Sequence, residues 1–197
     1  TMLDPADCGP ACIALSQDIQ GQTFDYPEEF FKERVHTIRR PRPDEFQIKE
    51  AAEKIKSSKN PIIISGGGVF YSDAMEELSQ FAIKHNIPVT QTVMGYSTMK
   101  RDHSHYAGQI GGLGGKNTNT LAKETDLAIA VGTKLADFTT GSWANFENEN
   151  FKLVSINVSR YDANKHLAQA VVGDAKVSLT ELSQALGDWK AGEDWNK

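Results

Sequence analysis

The stretch "NPIIISGGGVFYSDAMEEL", Asn60 to Leu78, decides the fold. Its β-branched run Ile62–Ser65 reads as a strand, buried on both faces because nothing polar alternates with it. Gly66, Gly67 and Gly68 follow directly. Asp73 then stands where a helix cap belongs, before Met75, Leu78, Phe81 and Ala82 at helical spacing up to about Lys84. Strand, glycine turn and helix in that order are the opening unit of a parallel α/β sheet, and such a turn often cradles a phosphate.

The same alternation continues outward. Upstream, Asp44 can cap a helix over Gln47–Lys56 with Ile48, Ala51, Ala52 and Ile55 on one face. Downstream, "IPVTQTV" (Ile87–Val93) is a second strand and Lys116–Lys123 a helix. "DLAIAVG" (Asp126–Gly132) is a third strand, "KLVSINV" (Lys152–Val158) a fourth and Ala170–Val172 a short fifth. Asp174 can cap a last helix over Ala175–Ala185, stopped by Gly187. Apolar strands joined by helical crossovers predict an α/β fold: a doubly wound, mainly parallel, Rossmann-like sheet with helices on both faces.

The ends read differently. "CGPACIAL" (8–15) is a strand candidate, and the aromatic run "FDYPEEFF" (24–31) needs cover from a neighbour. "RRPRPDEF" (39–46) is a stiff, extended connector, since each proline disfavours helix in the residue before it. The expected layout is therefore a tail and linker over 1–43, a compact domain over 44–187, and a polar tail or linker over 188–197.

The 197 residues are 39% hydrophobic and carry a net charge of -5, which gives no electrostatic reason to expect nucleic acid or a membrane surface as partner. No run is apolar and long enough to span a bilayer. Cys8 and Cys12 are too few for a disulfide framework, so buried inert thiols in a cytoplasmic protein are expected.

Glycine recurs where strands end: at "SGGGVF" (65–70), "MGYS" (94–97), "GQIGGLGGKN" (108–117) and "VGTKLADFTTG" (131–141). Ligands of open α/β sheets bind at such places, so together these loops suggest a nucleotide cleft. Each alone is weak. "SGGGVF" lacks the Lys-Ser/Thr of a P-loop, and "GQIGGLG" has no strand directly before it. The ribose-gripping position past the fourth strand offers Asn157 and Ser159, neither charged. No catalytic set emerges: His103 and His105 form a loop HxH without a third ligand, and no serine sits in a G-x-S-x-G elbow.

The ordered series "KNPIIISGGGV", "IPVTQTVMG", "HYAGQIGGLGG", "TDLAIAVGTKLADFTTG", "SINVSRYDANK" and "VVGDA" resembles the central domain of thiamine-diphosphate-dependent enzymes of the acetolactate synthase type, over about residues 45 to 186. "GPACIALSQDIQ" looks like the close of that family's pyrimidine-binding domain. "FDYPEEFF" is most similar to a hydrolytic branch that opens a cyclic dione in inositol breakdown.

The resemblance implies a three-domain, homo-oligomeric parent whose other domains bind thiamine diphosphate and Mg2+. The GDG…N motif of the diphosphate domain does not occur here, so this chain alone is expected to carry no catalytic residue and no metal site. In relatives that bind FAD or ADP here, the matching positions are Gly66, Gly67, Gly68, Thr92, Gly108, Gly132, Asn157, Asn164 and Asp174. Asn157 replaces an acidic residue, Lys134 an arginine, and Ala136-Asp137-Phe138 an Asp-Asp-Arg series, so FAD is not expected. The alternatives are the central domain of a carboligase or decarboxylase, or a free-standing ADP- or FAD-binding module. A sirtuin-like deacylase would need a four-cysteine zinc site that two cysteines cannot supply.

Overall fold

The computed structural model describes residues 2–195. The chain divides into two units, one ending at Arg39 and one beginning at Arg40.

The second unit is built on six strands: β1 (Pro61–Ser65), β2 (Val89–Gln91), β3 (Tyr106–Gln109), β4 (Leu127–Val131), β5 (Lys152–Asn157) and β6 (Gln169–Val172). They lie in the order β3-β2-β1-β4-β5-β6, every pair parallel. The chain winds outward from β1 to β3, returns to the other side of β1, and winds outward again. This is the doubly wound order, with its topological switch point between β1 and β4.

Successive side chains of a strand point to opposite faces, and both faces are buried here. Ile63, Val89, Ile129, Val154 and Val171 join one core under the helices Glu45–Lys56, Met75–His85 and Ala175–Leu186. Ile62, Ile64, Ala128, Ala130 and Leu153 join the other with Ala122 of the helix Lys116–Glu124.

Local chemistry sets the helix ends. Asp44 accepts the Phe46 N–H at 2.9 Å, and Ile48, Ala51, Ala52 and Ile55 are buried as their spacing demands. Asp174 accepts the N–H groups of Lys176 and Val177 at 3.0 and 3.3 Å, and Gly187 ends that helix at φ +63°. Asp73 is not a cap. It takes φ +51° and turns its carboxylate to Lys176, so the helix begins after Ala74, with Glu76 and Glu77 facing its positive end.

The strap before the first helix is fastened down. Arg40 reaches the Asp174 carboxylate at 3.1 Å and the Ser72 carbonyl, while Asp174 N–H donates to the Pro41 carbonyl at 2.8 Å. The residues after Gly187 are docked rather than frayed. Ala191 N–H donates to the His85 carbonyl at 2.9 Å, and the Trp195 indole donates to the Pro61 carbonyl at 2.7 Å. Asn196 and Lys197, which end the expected tail, lie outside the described residues.

The unit ending at Arg39 has a short helix at Gln17–Gln20 and a 3-10 turn at Glu28–Phe31. "CGPACIAL" forms no strand, because a strand needs a neighbour to take its backbone groups. Cys8 and Cys12 are exposed, not buried, since neither core cluster includes a residue of this unit. Phe24, Tyr26, Phe30 and Phe31 gather around Tyr26 with all four rings exposed.

Two outcomes follow from this packing. A Cβ on Gly95 would stand 2.1 Å from the Ser65 carbonyl oxygen, so Gly95→Ala should cost about 1–3 kcal/mol by overpacking, read as a lower midpoint in urea unfolding. His85 is fully buried: its Nδ1 donates to the Trp189 carbonyl (2.7 Å), and its Nε2 bonds the Ser183 hydroxyl (3.0 Å). Burial, and then the nearby Lys84 and Lys190 charges, hold its pKa below the ordinary value, as burial also does for His105 and His166. The unfolded chain then binds more protons, so stability present above the ordinary histidine pKa, about 6.5, is lost as pH falls below it and through the lowered folded value. The thermal midpoint should drop as pH falls below about 6.5, and His85→Gln should flatten that slope.

Candidate nucleotide cleft

The switch point brings six of the candidate residues into one set of turns. Gly66 N–H donates to the Val131 carbonyl and Gly68 N–H to the Gly132 carbonyl, each at 2.9 Å. Gly67 lies against Met94, just past β2. Thr92, on the same loop, accepts the Gly95 N–H at 3.0 Å through its hydroxyl and donates its own N–H to the Ser65 carbonyl at 2.9 Å. Asn157 reaches in from β5, its amide nitrogen donating to the Thr133 carbonyl at 3.2 Å while its oxygen accepts the Ser159 N–H at 3.0 Å.

The other three stand apart from this set. Gly108 takes φ +99° in the edge strand β3, where a Cβ would meet the Thr118 hydroxyl at 2.5 Å. Asn164 ends a one-turn helix and donates to the Arg160 carbonyl at 2.8 Å. Asp174 is occupied by its helix cap and by Arg40. Lys134 and Ala136 are exposed.

A strand does lead into "GQIGGLG", contrary to the expectation from sequence: Tyr106–Gln109 pairs with β2, with a register shift between Val89 and Thr90. The glycines beyond it are a packing device. Gly111 at φ +95° lies against the Phe138 and Thr139 carbonyls, and Asn119 brackets it by accepting its N–H at 3.0 Å and donating to its carbonyl at 3.1 Å.

Sequence reasoning missed a buried polar network under these loops. The hydroxyls of Ser65 and Thr98 are 2.6 Å apart, Thr98 donates to the Gly95 carbonyl at 2.7 Å, and Gln91 donates to the Met99 carbonyl at 3.0 Å. The signal was in view: polar side chains at the C-terminal ends of "IIIS" and "VTQT", in strands otherwise apolar.

The HxH histidines serve the fold. His103 bonds the Ser79 hydroxyl at 2.9 Å, and His105 bonds the Asn86 side-chain oxygen at 3.3 Å. Among the described residues no three His, Cys, Asp or Glu side chains are grouped to hold a metal. These residues do not fit thiamine diphosphate with Mg2+ either. The Asp174 carboxylate already has three donors, and neither Gly173-Asp174 nor Gly187-Asp188 continues to a third-position glycine.

Residues 48–182 match the family described as thiamine pyrophosphate enzyme, central domain. The chain is 46% identical over 185 residues to the 3D-(3,5/4)-trihydroxycyclohexane-1,2-dione hydrolase of Clostridium perfringens, covering 94% of this chain and 29% of that protein. It is 44% identical, with the same coverage, to 3D-(3,5/4)-trihydroxycyclohexane-1,2-dione hydrolase 1 of Bacillus cereus. The chain thus spans about 29% of the length of the curated relatives it matches. An X-ray structure from Mycobacterium smegmatis, described as a thiamin diphosphate-dependent enzyme, superposes with a TM-score of 0.63 at 21% identity, over 79% of this chain and 30% of that one, which shows the shared fold. A doubly wound sheet of this order, matched from its first helix into its last, belongs to the central-domain family of thiamine pyrophosphate enzymes.

Proposed function

We propose that the chain is the central domain of a longer thiamine-diphosphate-dependent hydrolase. Its reaction is hydrolytic C–C cleavage of 3D-(3,5/4)-trihydroxycyclohexane-1,2-dione, which opens the ring to a 5-deoxy-glucuronate in inositol breakdown. The observation that carries this is 46% identity to the named hydrolase across 94% of the chain, the residues before the family match included. Thiamine diphosphate, bound in the longer protein, supplies the carbanion chemistry that cleaves a bond beside a carbonyl.

This domain contributes no reacting group in that reading. The polar side chains buried under its switch-point loops are engaged with one another and with the backbone, as the Ser65–Thr98–Gln91 network and the Asn157 bonds illustrate. The proposed layout is a pyrimidine-domain tail and linker over 1–43, the central domain over 44–187 and a connector over 188–197. The break between Arg39 and Arg40 and the proline strap after it support the first boundary. The proposal extends to Mg2+ beside the diphosphate, flanking domains as partners, homo-oligomeric assembly and a cytoplasmic location. No helix among the described residues is long and apolar enough to cross a membrane.

The test is to express the continuous coding sequence on both sides of these residues and assay it with thiamine diphosphate and Mg2+. Ring opening of the cyclic dione is expected, with none from the 197-residue chain alone. Pyruvate consumption without dione hydrolysis would replace this reading with the carboligase or decarboxylase one, and turnover by the chain alone would overturn it.

A further inference from the structure

Open parallel sheets bind their ligands at the switch point, and nucleotide phosphates are held there by free N–H groups of a glycine turn and the start of a helix. We infer that in this chain the switch point is closed to nucleotide phosphate, and that its turns, locked by the buried Ser65–Gln91–Thr98 network, fill the place a ligand would take. This inference is independent of the reaction proposed for the longer protein.

The N–H groups are already used. Gly66 and Gly68 donate across the switch point to Val131 and Gly132, Gly132 N–H donates to the Ile156 carbonyl at 2.9 Å, and Gly95 N–H donates to Thr92. Within the Gly66–Gly68 turn only the Gly67 N–H is left for an outside acceptor, where a phosphate cradle needs several converging donors.

The helix beyond offers no anion site. Gly68–Tyr71 is one turn long, and the next helix starts only at Met75, with Glu76 and Glu77 in its first turn to repel a phosphate.

The turns are also pressed against one another: at three of these glycines an added Cβ has no room, while on Gly67 it would lie 3.2 Å from the Met94 carbonyl oxygen. That position on Gly66 lies 2.4 Å from the Gly132 carbonyl oxygen, and on Gly68 2.6 Å from the Gly132 Cα. On Gly95 it lies 2.1 Å from the Ser65 carbonyl oxygen. The glycines therefore serve the close approach of one turn to another. Beneath them, no buried side-chain atom is orphaned: among the described residues the unpartnered ones are Glu77 Oε2 and Ser178 Oγ, outside the network. Thr98 is the keystone, since its hydroxyl meets Ser65, Gln91 and the Gly95 carbonyl at once.

The 197-residue chain tests this in two steps. In calorimetric titration with ADP and then FAD to about 1 mM, no saturable binding is expected, and micromolar binding of either would overturn the inference. In amide hydrogen exchange, Gly66, Gly68, Gly95 and Gly132 should be protected as well as the β5 amides, and rapid exchange of these glycines would overturn it. Thr98→Val should speed exchange of Gly66, Gly68 and Gly95 by about tenfold or more with β5 unchanged, and Thr98→Ser should restore protection. If Thr98→Val leaves those three amides as slow as before, the network is not what holds the turns shut. If Thr98→Val does not fold, the ligand titration and the exchange of the unaltered chain still decide.

Discussion

The contact on which this fold turns is backbone against backbone: the Gly66–Gly68 turn seated on Gly132 across the switch point. β1 and β4 are neighbours only because the chain reverses its winding direction between them. The loops leaving their C-terminal ends must therefore share one small space. Any side chain there would separate the loops, and with them the strand ends that they continue. Glycine on both sides lets the two turns exchange a hydrogen bond directly. The β2 loop then closes over them through Thr92 and Gly95.

From that junction the rest of the unit is ordinary burial. Alternate residues of β1 and β4 feed separate cores on the two faces, and the helices Glu45–Lys56, Met75–His85 and Ala175–Leu186 each contribute a stripe of apolar side chains to one of them. Polar groups at the strand ends would be expensive to leave unmet in such a setting. Ser65, Gln91 and Thr98 meet each other's needs, so the polar end of the sheet is as settled as its apolar middle.

Most of this architecture was legible in the sequence. Ile48, Ala51, Ala52 and Ile55 announce a helix face, and "PIIIS" and "LAIAV" announce strands buried on both sides. Elements that depend on partners were not. Tyr106–Gln109 carries Gly108 at positive φ and no apolar run, so only its pairing with β2 makes it a strand. Asp73 looked like a helix cap until Lys176, more than a hundred residues later, drew its carboxylate away. The candidate site was half legible. Glycines after strands were correctly placed at the sheet's C-terminal edge, but sequence cannot tell a glycine that makes room for a ligand from one that makes room for another turn.

The strap at Arg40–Pro43 and the docked residues Trp189–Trp195 have a mechanical meaning as well. The chain enters this unit clamped to the last helix through Arg40 and Asp174, and it leaves past His85 and the first residue of β1. Neither passage is a slack tether. A force applied at either end of this unit therefore loads packed structure, the last helix at the entry and the start of β1 at the exit, so both ends should melt with the sheet rather than before it.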